Sequence, residues 1–199
     1  MEQDINHVIS ELSVCTAGSL KGMILEPLAL RLLSISEASF AVKQMSKRSG
    51  GLQLGDFLSF APMSVRADEN TTDAFIEAID RGLSSQGNIL LVPRAGFAVV
   101  DAVAIVGVGE ARCCLFLQVT VAVKHPVTGD VAAEVLAKLI GAAGGADKCA
   151  LVYVLPNNGT FSLFRAQTVP ECGKSIRQYK ISLKTESGDE PAKKQRSDR

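Results

Sequence analysis

Residues 115–127 read LFLQVTVAVKHPV, an apolar run that carries an amide at Gln118 and a hydroxyl at Thr120 and stops at Lys124, His125 and Pro126. Side chains alternate across a strand, so Gln118 and Thr120 share one face, and Lys124 keeps the same parity if the strand runs on. Just upstream, residues 97–106 form a second strand-like run rich in β-branched residues (Val99, Val100, Val103, Ile105, Val106). The Gly-containing stretch 107–110 reads as a hairpin turn joining it to a strand over 112–123. That hairpin anchors the rest of the reading.

Downstream, Thr128 or Asp130 can cap a helix over 131–140 that places Val131, Val135, Leu136, Leu139 and Ile140 on one face, and the glycines of 141–145 end it. Residues 149–155 are a short continuous apolar run, the pattern of a strand covered on both faces. A last strand is predicted over 161–168. Upstream, helical spacing predicts helices over 4–14 (Ile5, Val8, Ile9, Leu12) and 22–33 (Met23, Leu25, Leu28, Leu32), with Pro27 near the start of the second, where its missing N–H costs little. A short strand over 38–45 and a polar loop over 46–51 follow. Asn70, Thr71 and Thr72 offer caps to a helix over 73–83, and residues 88–92 read as a strand. Residues 50–69 yield no firm assignment.

A hairpin followed by a crossover helix and a parallel strand predicts an α/β fold, a mixed β-sheet with a central hairpin flanked by helices. One domain over 1–183 is expected. Residues 184–199 are Ser, Gly, Pro and mixed charge with no apolar periodicity, which predicts a disordered polar tail. Its basic cluster, Lys193, Lys194 and Arg196, matches a short nuclear import signal, with solvated tail charge as the alternative.

The chain has 199 residues and is 47% hydrophobic, enough for one substantial core. Lys plus Arg and Asp plus Glu are balanced at 21 each, so any polyanion site must be local. Cys15, Cys113, Cys114, Cys149 and Cys172 show no CxxC spacing, and the adjacent pair would point to opposite faces of a strand. Reduced thiols in an intracellular protein are the expectation. The acidic start MEQDINHVISELS lacks the form of a secretory signal. Asp101, Glu110 and Arg112 interrupt the most apolar span, 97–123, so no membrane segment is expected.

Asp101 carries the chemistry. A carboxylate inside an apolar run is costly to bury unless paired or metal-bound. If 107–110 is the turn, Asp101 lies at a depth similar to Gln118 and Thr120, and converging oxygen ligands suit Mg²⁺. Lys124 could then orient an attacking water or stabilise developing phosphorane charge. The plainer reading makes Asp101 a solvent-facing acid, Gln118 and Thr120 the polar face of a half-covered strand, and His125 a strand-end residue. Arg94 and Arg112, near the hairpin's ends, are candidate phosphate contacts, with a solvated surface as the alternative.

Three stretches carry a resemblance: GSLKGMILEPLALRLL (18–33), VPRAGFAVVDAVAIVG (92–107) and LFLQVTVAVKHPV, the last being the most specific. They resemble the C-terminal nuclease-like region of Crinkler effectors and trypanosomal retrotransposon hot spot (RHS) proteins, with a Gly-x-x-Phe/Leu-Glu helix, a strand ending in Val-Asp, and a Gln-x-Thr strand closed by His-Pro. ALVYVLPN (150–157) is similar to the strand that follows that family's helix.

The resemblance implies a divergent restriction-endonuclease-like PD-(D/E)XK core. It implies Glu26, Asp101 and Gln118 as ligands of Mg²⁺ and Thr120 as a further site residue acting on DNA; Lys124 or His125, further along the strand, would complete the catalytic set of Asp101, Gln118 and Thr120. Two departures stand out. Gln118 occupies the place of a second carboxylate, which leaves less negative charge for a metal. Thr120 occupies the place of a Lys, and a hydroxyl cannot supply that charge. Weak, partner-dependent or absent cleavage all follow from these departures. No P-loop pattern GxxxxGK[ST] occurs, so an NTPase domain or subunit of the kind that accompanies this family would be supplied in trans. The implied location is intracellular and nuclear, or a host cell for an exported effector. The readings in competition are a metal-dependent nuclease, a non-catalytic nuclear protein- or nucleic-acid-binding module of the same fold, and an unrelated α/β interaction domain.

Overall fold

The computed structural model describes residues 18–35, 39–45, 51–60, 63–67, 71–94, 97, 99–107, 109, 112–156 and 159–183. The expected helix over 4–14, most of the 46–51 loop, Asn70, and the 184–199 tail with its basic cluster lie outside the described residues. In chain order the elements are α1 (Gly18–Ile35), β1 (Ser39–Gln44), β2 (Phe57–Ser59), β3 (Met63–Ala67), α2 (Thr72–Leu83), β4 (Asn88–Val92), β5 (Ala102–Val106), β6 (Cys113–Val119), α3 (Asp130–Ala142), β7 (Cys149–Leu155), the short α4 (Gly159–Leu163) and β8 (Arg177–Ser182).

All eight strands join one mixed sheet in the order β2-β1-β8-β7-β6-β5-β4-β3. At its centre β4, β5 and β6 form an antiparallel meander; β5 and β6 are the expected hairpin, in register from Ala102 opposite Leu117 to Val106 opposite Cys113. α3 then carries the chain to β7, which lies parallel to β6, and β8 adds parallel to β7. At one margin β3 pairs parallel to β4 through the crossover α2; at the other β1 and β2 close the sheet antiparallel.

The pleat sorts the sequence into two cores. On one face Phe75 and Ile79 of α2 and Val135, Leu136 and Leu139 of α3 pack on Leu91, Ile105, Phe116, Leu151 and Tyr153. On the other, Leu25, Ala29, Leu32 and Leu33 of α1 pack on Leu90, Ala104, Leu115, Leu117 and Val152. β7 is buried at every position because helices cover both its faces, as its unbroken apolar run predicts.

Several local expectations are corrected. Pro27 lies inside α1 instead of in its first turn, because the helix begins at Gly18. There it removes one helical hydrogen bond, a cost that packing of the Leu25–Leu33 face offsets. α2 is capped by Thr71, whose hydroxyl accepts from the Ala74 N–H at 3.2 Å. α3 starts after Gly129 (φ 97°) with no side-chain cap, and Val131 is 69% exposed instead of facing the core. β5 is shorter than the 97–106 run: Val99 and Val100 are buried but precede the ladder.

Residues 161–168 are not a strand. Phe161–Leu163 end a short helix, and Phe164 folds back onto Tyr153 with ring centroids 4.9 Å apart. The strand in that part of the sheet is β8, whose Arg177, Gln178, Lys180 and Ser182 are all buried despite their polarity.

Candidate functional site at the end of the hairpin

The central ladder ends at Asp101 with a slip. The Asp101 N–H donates to the Leu117 carbonyl at 2.9 Å, although Leu117 is already the ladder partner of Ala102. The backbone is thus offset by one residue, as at a β-bulge, and such offsets re-aim side chains. The Asp101 carboxylate takes over the ladder: its Oδ2 accepts the Val119 N–H at 2.6 Å. Burial pushes this carboxyl up from 3.8 to about 6; the Val119 hydrogen bond works against that, and the nearby Glu26 carboxylate adds to it by repulsion. The charge of Glu26, on α1 in a distant part of the chain, therefore reaches Asp101 before β5 at the end of the sheet, as the smallest of the three influences on it.

Gln118 does not join them. Its neighbours along β6 fix its face: Phe116 and Cys114 belong to the core under α2 and α3, whereas Leu117 and Val119 belong to the core under α1. Gln118 thus shares a face with its β7 partner Tyr153, across the sheet from Glu26. The bulge at Asp101 breaks the parity on which the expected convergence rested. The buried Gln118 Oε1 and Tyr153 hydroxyl both lack a hydrogen-bond partner among the described residues.

Thr120 and His125 form a second small unit. The Thr120 N–H continues the ladder to the Val154 carbonyl at 3.0 Å, so β6 and β7 stay joined one residue beyond the strand. Its hydroxyl accepts the Ala122 N–H at 3.1 Å and stands 3.3 Å from His125 Nδ1. This local turn stops β6, so Lys124 is not carried on at strand parity; it is exposed in the loop that follows. The His125 N–H is held by Gln167 Oε1 at 2.7 Å, and burial lowers the imidazole pKa below its ordinary value.

Arg112 is no phosphate contact. It is 7% exposed, and its guanidinium donates to the carbonyls of Gly82, Gly87 and Gly107, closing the C-terminal end of α2 onto the hairpin turn. A cation suits the negative end of a helix. Arg94 is exposed.

Sequence reasoning missed Gln167, Gln178 and Lys180. Gln178, 2% exposed, accepts the Gln167 N–H at 2.7 Å and donates to the Gln167 carbonyl at 2.9 Å. Lys180 donates to the carbonyls of Phe161 and Phe164. A period-two signal, Tyr179, Ile181 and Leu183, was available to reveal the strand that carries the last two.

No protein-family model, curated protein or solved structure matches this chain. What the end of the hairpin can do therefore rests on its own chemistry. Among the described residues no group of three or more His, Cys, Asp or Glu side chains is placed to hold a metal ion. A cation here would rest on Glu26 and Asp101 and complete its shell with water, a donor set that fits Mg²⁺ better than ions needing nitrogen or sulfur ligands. No helix among the described residues is long and apolar enough to cross a membrane.

Proposed function

We propose that the chain is a divergent, restriction-endonuclease-like phosphodiesterase module acting on DNA, with Glu26 and Asp101 as its cation-binding pair. The observation that carries this reading is the Asp101 carboxyl. It is fixed by the Val119 N–H, raised to about 6 chiefly by burial, and raised further by the charge of a second acid, Glu26. Above that pH an ionised, half-buried carboxylate beside a like charge is unfavourable unless a cation compensates it, and such perturbed acids concentrate at functional sites. The order of elements supports the same reading: an antiparallel three-strand meander, a crossover helix and a parallel fourth strand, with α1 and α3 on opposite faces.

When bound, a divalent cation supplies positive charge against the phosphoryl oxygens. Asp101 and Glu26 would hold it, and the Val119 N–H fixes the Asp101 carboxylate so that little reorganisation would be needed. Thr120, which keeps the strand parity of Gln118, and His125, 3.3 Å from its hydroxyl, lie on the face away from Glu26 and would orient water only from around the end of the sheet. His125, its proton affinity lowered by burial, is neutral near pH 7 and can accept a proton through its ring. Gln118, on the face away from Glu26, acts through packing against Tyr153, not as a ligand.

A supercoiled-plasmid nicking assay with Mg²⁺ or Mn²⁺ tests this. Wild type should nick, and Asp101→Ala and Glu26→Gln should each reduce the rate by about a hundredfold, as expected for loss of charge stabilisation. One observation favours a second reading, a binding module of the same fold that cleaves nothing. The Thr120 hydroxyl is already engaged by Ala122 and His125, and no lysine stands at that position. Absence of nicking by wild type with either ion would decide for the module.

A further inference from the structure

Beyond the carboxylate pair, the loop after β6 and the segment after α4 enclose a groove of about 400 Å³ lined by Val123, Lys124, Pro126, Arg165, Gln167 and Thr168, among others. Its walls are tied together. Gln167 Oε1 takes the His125 N–H at 2.7 Å, and the Val127 N–H reaches the Thr168 carbonyl at 3.0 Å. Behind the second wall, the buried Gln178 clamps both backbone groups of Gln167. The groove's walls are therefore joined by part-buried polar contacts.

Its charge has one sign. Lys124 and Arg165 are exposed, and neither has an acidic partner among the described residues. Lys180 lies 4.6 Å from the centroid of the Phe161 ring, and its hydrogen bonds among the described residues go to the Phe161 and Phe164 carbonyls. Its pKa is lowered by burial first, then by repulsion from Lys43 and Arg165. In a chain whose acids and bases are equal in number, this is a local concentration of positive charge with no acidic partner among the described residues, Arg165 bonding only the Ser162 and Phe164 carbonyls there. None of the lining residues is aromatic, so the groove offers no platform on which an unpaired base could stack.

We propose that this groove seats the phosphate backbone of double-stranded nucleic acid, with Lys124 and Arg165 as its phosphate-contacting cations and the Gln167 wall fixing their positions. The inference deepens the nuclease-like reading by naming duplex as its substrate class. Lys124 and His125 are adjacent in sequence, so a backbone held here lies next to the Thr120–His125 unit.

The test reads binding without cleavage. Fluorescence anisotropy of a labelled duplex and of one of its single strands is measured in EDTA across a KCl series. The proteins compared are wild type, the double variant Lys124→Gln/Arg165→Gln, and Lys148→Gln, an exposed cation at the opposite end of the sheet. Wild type should prefer duplex. The double variant should bind more weakly and flatten the slope of log K against log salt by about 1.8, the loss of two phosphate contacts at about 0.9 each. Lys148→Gln should match wild type. Circular dichroism confirms that the exposed substitutions leave the fold intact. No duplex binding by wild type, a preference for the single strand, or an unchanged slope in the double variant each overturns the proposal. Inorganic phosphate that competes fully at equal phosphate concentration would mark an isolated anion site and also overturn it. Because EDTA removes the nicking step, failure to nick beside intact duplex binding counts against the catalytic reading alone.

Discussion

Asp101→Asn isolates the cost of the acidic pair. The Asp101 carboxyl stands at about 6 against an ordinary 3.8, so its native state holds the proton more tightly than the unfolded chain. The contribution to stability is fully present below the unfolded value and is lost as pH rises through the window from 3.8 to about 6. At 1.36 kcal/mol per pH unit the full loss is about 3 kcal/mol; the side chain keeps some contact with water, so about half of that is expected. Asparagine retains an oxygen to accept the Val119 N–H and carries no charge. In urea unfolding with EDTA, the variant should therefore exceed wild type by about 1.5 kcal/mol near pH 8 and converge with it near pH 3.5. Glu26→Gln should shift the midpoint of this pH dependence downward, since the Glu26 charge raises the Asp101 pKa. Mg²⁺ near pH 8 should stabilise wild type and not the asparagine variant. A wild-type-to-variant difference that stays flat across pH, or wild type the more stable near pH 8, would refute the reasoning.

Arg112→Ala should destabilise by about 3 kcal/mol in the same assay, since it strips the carbonyls of Gly82, Gly87 and Gly107 of a buried donor. Plasmid binding in EDTA should be lost only in proportion to unfolding, which separates this structural role from phosphate contact. Gln178→Ala should cost about 2 kcal/mol by leaving both backbone groups of Gln167 unpaired. It should also weaken duplex binding at temperatures where the fold persists, a result that unchanged affinity would contradict.

Much of the architecture was legible because it depends on local pattern. β4 and β7 begin and end where their apolar runs do, and α2 starts beside the Thr71 cap, since burial and capping act on neighbouring residues. The hairpin and its crossover helix follow from the 97–123 run and the spacing of Val135, Leu136 and Leu139. β8 was harder to see. Gln178 and Lys180 are polar, and they are buried only because carbonyls and an amide from residues 161–168 come to meet them.

The sequence by itself determined an α/β chain with a central hairpin, an acid placed inside an apolar run, and a polar pair on the opposing strand. Only the tertiary structure decided which of these groups meet. Strand parity assumes an unbroken ladder, and the offset at Asp101, whose N–H donates to Leu117 although Leu117 is paired with Ala102, cancels that assumption. The carboxylate turns to the Val119 N–H, while Gln118 stays with Tyr153 on the face away from Glu26. A one-residue slip in hydrogen bonding leaves no mark in hydrophobic periodicity, yet it decides which backbone donor a partly buried carboxylate meets.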